Sequence, residues 1–290
     1  MLQGIYDGAP SAKRFVIGVS LVAAVGINAC SRTTDYADDM AREHAEDAPV
    51  SNEASQASPA TEVETELVTY ATVDGVEVTG YLARPVGAEG PLPGVIVIHE
   101  WWGLNDNIRS MAEQLAGEGY RALAVDLYGG ETADTPDGAA TLMRASMEHT
   151  EALTENVKQA YAYLAAEGQK VGVVGWCFGG GWSLATALAL PEDIDAAVIY
   201  YGRLVTDADA LAPLDMPILG FFGAEDTGIP VESVRAFEAA LDELGKDASI
   251  YVYDGAGHAF ANPSGTNYRA EPAQDAWSKT RAFFAAHLAS

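Results

Sequence analysis

From residue 64 onward, apolar positions follow two alternating rhythms. In "ELVTYATV" and "VEVTGYLARP" they recur at every second residue on either side of Asp74-Gly75. That dipeptide favours a tight two-residue turn, so two antiparallel strands joined as a hairpin are expected. "GVIVIHE" is apolar throughout, as a strand buried on both faces should be. "NIRSMAEQLAGEGY" spaces Ile108, Met111 and Leu115 for one helix face and stops at a glycine. The alternation continues with strand "YRALAVDL", a helical region within 137–166, strand "VGVVGW" and a helix from Gly179 to Leu190. Strands "AAVIYYG" and "PILGFFG", a helix over 231–244, strand "ASIYVYD" and a helix over 271–288 complete it. Buried strands joined through amphipathic helices form a mostly parallel sheet covered on both faces, because each parallel connection must cross back over the sheet. The expectation is an α/β domain over 66–290, with about eight strands and the antiparallel hairpin at one edge. Ligands of such sheets sit beyond the carboxyl ends of the strands. Four chemistry-bearing residues fall there: Glu100, Cys177, Asp226 and His258.

Upstream the rhythm stops. Lys13 and Arg14 precede "FVIGVSLVAAVGI", an apolar run too short to span a bilayer, followed by "NAC". That order predicts a secretory signal peptide over 1–29. Ile27-Asn28-Ala29-Cys30 resembles a bacterial lipobox, which implies cleavage before Cys30 and a lipid on its sulfur. The expected location is therefore the cell envelope, periplasmic or membrane-anchored, with the lipid as the one membrane contact. Translation from Met40 would instead leave the protein in the cytoplasm. Residues 30–65 are rich in Ser, Ala, Thr, Asp and Glu and have no sustained apolar period. Too little surface can be buried there to offset ordering entropy, so a disordered acidic tether is expected.

Charge narrows the partners. The 290 residues carry 42 Asp or Glu against 16 Lys or Arg, a net charge of −26. Phosphate backbones need a basic face, so nucleic acid is excluded as a partner. Cys30 closes the apolar run while Cys177 lies within the domain, so the two are not expected to pair.

Gly175-Trp176-Cys177-Phe178-Gly179 has the G-x-S-x-G spacing of a nucleophile elbow, with cysteine at the apex. A sharp strand-to-helix turn strains the apex backbone, and the flanking glycines remove side chains that would collide. The helix N-terminus beneath the sulfur favours a thiolate or an oxyanion. Alone, the motif equally describes a structural cysteine in a glycine-rich turn. Asp226 after one late strand and His258 after the next give the order nucleophile, acid, histidine of α/β-hydrolase triads. Of the other histidines, His44 falls in the tether, His149 and His287 in helical runs, and His99 beside Glu100 reads as a packed residue.

Together "VIHEWWGLN", "GWCFGGG", "GAEDTGIP" and "GAGHAFANP" resemble the dienelactone hydrolase family of α/β-hydrolases, over roughly residues 66–288. The resemblance implies Cys177 as nucleophile, His258 as base and Asp226 as the acid that orients it. It implies Glu100 as the extra glutamate that contacts the resting thiol, and the backbone N–H groups of Phe178 and Trp101 as the oxyanion hole. No cofactor and no metal are implied. Members that cleave dienelactones carry an arginine soon after the histidine, where this chain has Asn262; Arg144 is a candidate substitute. Trp101, Trp102, Trp176, Tyr201 and Asn262 are candidate pocket residues. The expected activity is hydrolysis of a small-molecule carboxylic ester or lactone through an acyl-cysteine. Two rival readings are an acyltransferase using the same acyl-enzyme and a non-catalytic envelope binding protein that keeps the fold.

Overall fold

In the computed structural model of the chain, which describes residues 37–42, 44–50 and 54–288, Asp74 and Gly75 take φ of 51° and 80°. Two successive positive φ values make the turn that folds β1 (Val63–Val73) back on β2 (Val76–Pro85). The other strands are short and apolar: β3 (Gly94–Ile98), β4 (Arg121–Val125), β5 (Val171–Trp176), β6 (Ala196–Tyr200), β7 (Ile218–Gly223) and β8 (Ala248–Tyr253). β3 to β7 are buried along their whole length, as continuous apolar runs require. The eight strands form one sheet in the order β1-β2-β4-β3-β5-β6-β7-β8. β2 pairs antiparallel with β1 and β4, and every pair from β4 to β8 is parallel. The chain builds outward from β3 to β4, then returns across β3 to place β5 on the other side. The carboxyl ends of β3 and β5 therefore flank the point where the winding reverses, the usual place for a ligand crevice. Glu100 and Cys177 follow those two ends. This is an α/β-hydrolase fold.

Helices cover the sheet. α1 (Asp106–Gly117) starts where the Asn105 side chain accepts the Ile108 N–H, and it buries Ile108, Met111 and Leu115. The region expected as one helical stretch is two helices, α2 (Pro136–Met147) and α3 (Thr150–Ala165). Glu148 and His149 separate them without a glycine or proline to mark the break. α4 (Phe178–Ala189) follows the Cys177 turn, the short α5 (Ala208–Leu211) precedes β7, and α6 (Val231–Glu243) and α7 (Ala270–Leu288) flank β8.

Close packing at the β5–α4 turn depends on glycine. A Cβ on Gly175 would lie 2.0 Å from the Gly179 carbonyl oxygen, and one on Gly180 2.3 Å from that of Tyr200. Backbone cannot yield as a flexible side chain can. Gly175→Ala is therefore expected to cost about 3 kcal/mol or more of stability, read as a lowered urea midpoint. An unchanged midpoint would mean that the turn is looser than this contact implies.

Part of the stretch expected as a disordered tether is ordered. Residues 37–42 are helical, and Ala37 and Met40 are buried. Ala37, Met40, Ala41 and His44 recur at i, i+3, i+4 and i+7, which gives this short piece one face to bury. Farther on, Ala54–Gln56 form a 3-10 turn, and the Thr61 hydroxyl donates to the Gly117 carbonyl (3.0 Å). The packed structure thus begins upstream of residue 66. The expected signal peptide over 1–29 and the expected lipid site at Cys30 lie outside the described residues. Among the described residues, no helix is long and apolar enough to cross a membrane.

Candidate active site

Cys177 sits between β5 and α4 with φ 57° and ψ −115°, a conformation that L-residues avoid. Two backbone bonds hold it there: its N–H donates to the Tyr200 carbonyl (3.0 Å), and its carbonyl accepts from Gly181 N–H (3.1 Å). Such strain survives when the surroundings over-determine it, and it clusters at functional turns. Phe178 is the first residue of α4, so its N–H belongs to the helix's first, intrahelically unpaired turn.

The loops after β7 and β8 meet over the sheet. Glu225 N–H donates to the Ala256 carbonyl (2.9 Å), and a Cβ on Gly223 would strike that same oxygen at 2.3 Å. This joins the loop carrying Asp226 to the one carrying His258. The His258 Nδ1 donates to Asp226 Oδ2 (2.8 Å), while Asp226 Oδ1 accepts the N–H groups of Gly228 (3.0 Å) and Ile229 (2.8 Å). Burial alone would raise the Asp226 carboxyl. The charge on His258 and these donors outweigh it and hold the group below the ordinary carboxylate range. Burial likewise works against charge on the His258 ring, but Asp226 and the nearby Cys177 sulfur raise it well above the ordinary histidine value.

Glu100 is fixed from several sides. His99, fully buried, donates from Nδ1 to the Glu100 carbonyl (2.6 Å) and accepts the Leu127 N–H at Nε2 (3.2 Å). Both ring nitrogens are thereby committed, and burial lowers the ring's pKa, so His99 is a neutral brace for the loop. The Glu100 side chain accepts from Tyr201 Oη (3.5 Å) at Oε1 and from Asn262 Nδ2 at Oε2. Its burial pushes the carboxyl up to about 7. The Asn262 Oδ1 is saturated: it accepts from Asn107 Nδ2 (3.2 Å), Ser264 N–H (2.8 Å) and Ser264 Oγ (3.0 Å).

Two cavities reach Cys177. The smaller, about 10 Å³, brings together Cys177, His258, Glu100, Trp101, Trp102 and Asn262. The larger, about 300 Å³, lies between Cys177, Phe178, Trp182, Met147, Arg203 and Leu204. Asp226 stands behind His258, and the Tyr201 ring meets the His258 ring edge-on at 5.2 Å. Trp176, expected as a pocket residue, is instead part of the core. It is 3% exposed and stacks on Tyr200 (5.3 Å) of the neighbouring strand, which packs on Phe221 (4.7 Å) of the next. Arg144 is also away from both cavities, in an ion pair with Asp38 (3.4 Å).

Residues left unassigned by the sequence pattern complete the smaller cavity: Met40, His44, Asp47 and Ala48. The His44 ring lies 4.7 Å from that of His258. The available signal was the helical spacing of Ala37, Met40, Ala41 and His44, which a dominantly acidic stretch obscures.

The model of the dienelactone hydrolase family matches residues 78–288 of this chain. A Saccharolobus solfataricus protein, provisionally named a carboxymethylenebutenolidase, is 32% identical over 248 residues, covering 72% of this chain and 94% of its own. The protein usf of Aquifex pyrophilus is 37% identical over 225 residues, covering 74% of this chain and 96% of its own. The crystal structure of a protein from Klebsiella pneumoniae, provisionally named a dienelactone hydrolase, superposes with a TM-score of 0.70 at 31% identity. That match covers 78% of this chain and 99% of the other.

Proposed function

The chain belongs to the dienelactone hydrolase family, and from that premise we propose that it hydrolyses a carboxylic ester or lactone through a Cys177-His258-Asp226 triad. The observation that carries the reading is the buried hydrogen bond (2.8 Å) that Asp226 accepts from the His258 ring, which shares a cavity with the strained Cys177. Asp226 keeps the Nδ1 proton in place, which leaves Nε2 free to take the thiol proton. The sulfur attacks the carbonyl carbon, and the resulting oxyanion is bound by the N–H groups of Phe178 and Trp101. Collapse breaks the bond to the leaving oxygen, which His258 protonates, and an acyl-cysteine remains. His258 then draws a proton from water, the water oxygen attacks the acyl carbon, and the acid departs as the proton returns to sulfur.

Asn262 is neutral and one of its amide N–H groups is held by Glu100, so it offers a substrate carboxylate no counter-charge. Arg203 lines the larger cavity, on the acyl side. The function is tested by acid release from methyl butyrate and γ-butyrolactone at pH 7.5, with mass spectrometry of acylated Cys177 after acid quench. Turnover of neither substrate overturns the reading.

Glu100 gives the site a pH dependence whose sign can be worked out. Its folded pKa of about 7 lies above the usual carboxylate value, so the group is neutral below that pH and anionic above it. The anion opposes a thiolate in the same cavity. Glu100→Gln, neutral at every pH, is therefore expected to react faster than wild type with iodoacetamide at pH 8 and at the same rate near pH 6. Equal alkylation rates at pH 8 would remove Glu100 from control of the thiol.

A further inference from the structure

Met40, His44, Asp47 and Ala48 lie upstream of the residues matched by the family model, 78–288, yet they wall the cavity that holds Cys177 and His258. They are fastened there. Asp47 Oδ2 accepts from His44 Nδ1 (2.7 Å), and its Oδ1 accepts from Thr266 Oγ1 (3.1 Å) and Asn267 Nδ2 (3.2 Å). The Val50 N–H donates to the Ser264 carbonyl (2.6 Å). His44 adjoins the reacting region: its ring is 4.7 Å from that of His258, tilted to it, and 5.8 Å from that of Trp101, edge-on. Met40 is 1% exposed and His44 5%, so both are interior residues despite their place in a polar stretch.

The chemistry assigns the two cavities. His258 must protonate the leaving oxygen, so the alcohol part of an ester departs on the His258 side. The acyl part stays bonded to Cys177 and must extend elsewhere, and the 300 Å³ cavity opens from Cys177 between Phe178, Trp182 and Leu204. On the His258 side the space is about 10 Å³, room for a water molecule or a methyl group. We infer that Met40, His44, Asp47 and Ala48 form the leaving-group wall and restrict the enzyme to esters of small alcohols, with Met40 and His44 as the specificity-determining side chains. This rests on ester hydrolysis through Cys177 and His258.

The test compares methyl butyrate with benzyl butyrate, whose alcohols are of similar basicity but very different bulk. Wild type is expected to favour the methyl ester in kcat/KM by about 100-fold or more. Full-length His44→Ala and Met40→Ala are each expected to shrink that ratio by about 10-fold, while the acyl-length profile from methyl acetate to methyl octanoate keeps its shape. Circular dichroism melts confirm that each variant is folded, and the wild-type ratio stands without either. Hydrolysis of both esters at equal rates by wild type overturns the inference and leaves ester hydrolysis intact. So does a ratio unchanged in both folded variants. Hydrolysis of neither ester overturns this inference, and the parent reading with it where γ-butyrolactone is also left intact.

Discussion

Cys177→Ala is expected to lower kcat/KM for methyl butyrate by at least about 10⁴-fold while leaving the protein folded. The size of the loss follows from the chemistry: without the sulfur no acyl-enzyme forms, and His258 has no partner to deprotonate. What survives is the contribution of the oxyanion donors and substrate binding, acting on water alone. Folding should persist because the unusual backbone at φ 57° is imposed by its neighbours, through the Tyr200 carbonyl and Gly181 N–H, and not by the side chain. Alanine keeps the Cβ and so keeps the steric terms already accepted there. The side chain lost is small and buried, which limits the stability change to about 1 kcal/mol. The measurement is kcat/KM by acid release beside a thermal melt. A folded variant with activity within 10-fold of wild type would show that Cys177 is structural.

Asp226→Asn carries the second large effect, a loss of about 10⁴-fold with the fold retained. Here the environment dictates the outcome. Asp226 Oδ1 accepts two backbone N–H groups, from Gly228 and Ile229, while Oδ2 faces His258 Nδ1. An asparagine has one oxygen, and the two backbone donors claim it. The NH₂ group is then turned toward His258 and donates to Nδ1. The imidazole must carry its proton on Nε2, the nitrogen that has to receive the thiol proton, so the base is blocked. The substitution also removes the charge that raises the His258 pKa, so the imidazolium becomes easier to deprotonate. Residual activity should therefore lose its acidic limb at a lower pH than wild type. The pH profile of kcat/KM reads both effects. A loss below 10-fold with an unmoved profile would mean that another group orients His258.

Much of this was legible along the chain. The period-two pattern around Asp74-Gly75 became the β1–β2 hairpin, and the apolar runs "GVIVIHE" and "VGVVGW" became the central strands β3 and β5. The chemistry at strand ends was legible too, since a strand end is marked locally by where an apolar run stops. Glu100, Cys177 and His258 do meet in one cavity, with Asp226 behind the histidine. The split of the 137–166 region was not legible, because no glycine or proline marks Glu148–His149.

Other features depended on which surfaces meet. Trp176 could have faced either a pocket or the core from a strand end; Tyr200 and Phe221 on neighbouring strands take it into the core. Asn262 stood where an anion clamp was expected. Only the distant loop carrying Glu100, 162 residues away in the chain, turned its amide to another use. Residues 37–42 and 44–50 show the difference most clearly. By composition they could not bury enough surface to order themselves, and that inference was sound for an isolated segment. It failed because the domain supplies the missing surface, with Asn267, Thr266 and Ser264 to receive Asp47 and Val50. Apolar periodicity is written within a few residues and can be read there. Whether a weakly apolar segment orders, and what it covers, depends on a partner surface formed by residues more than 200 positions away.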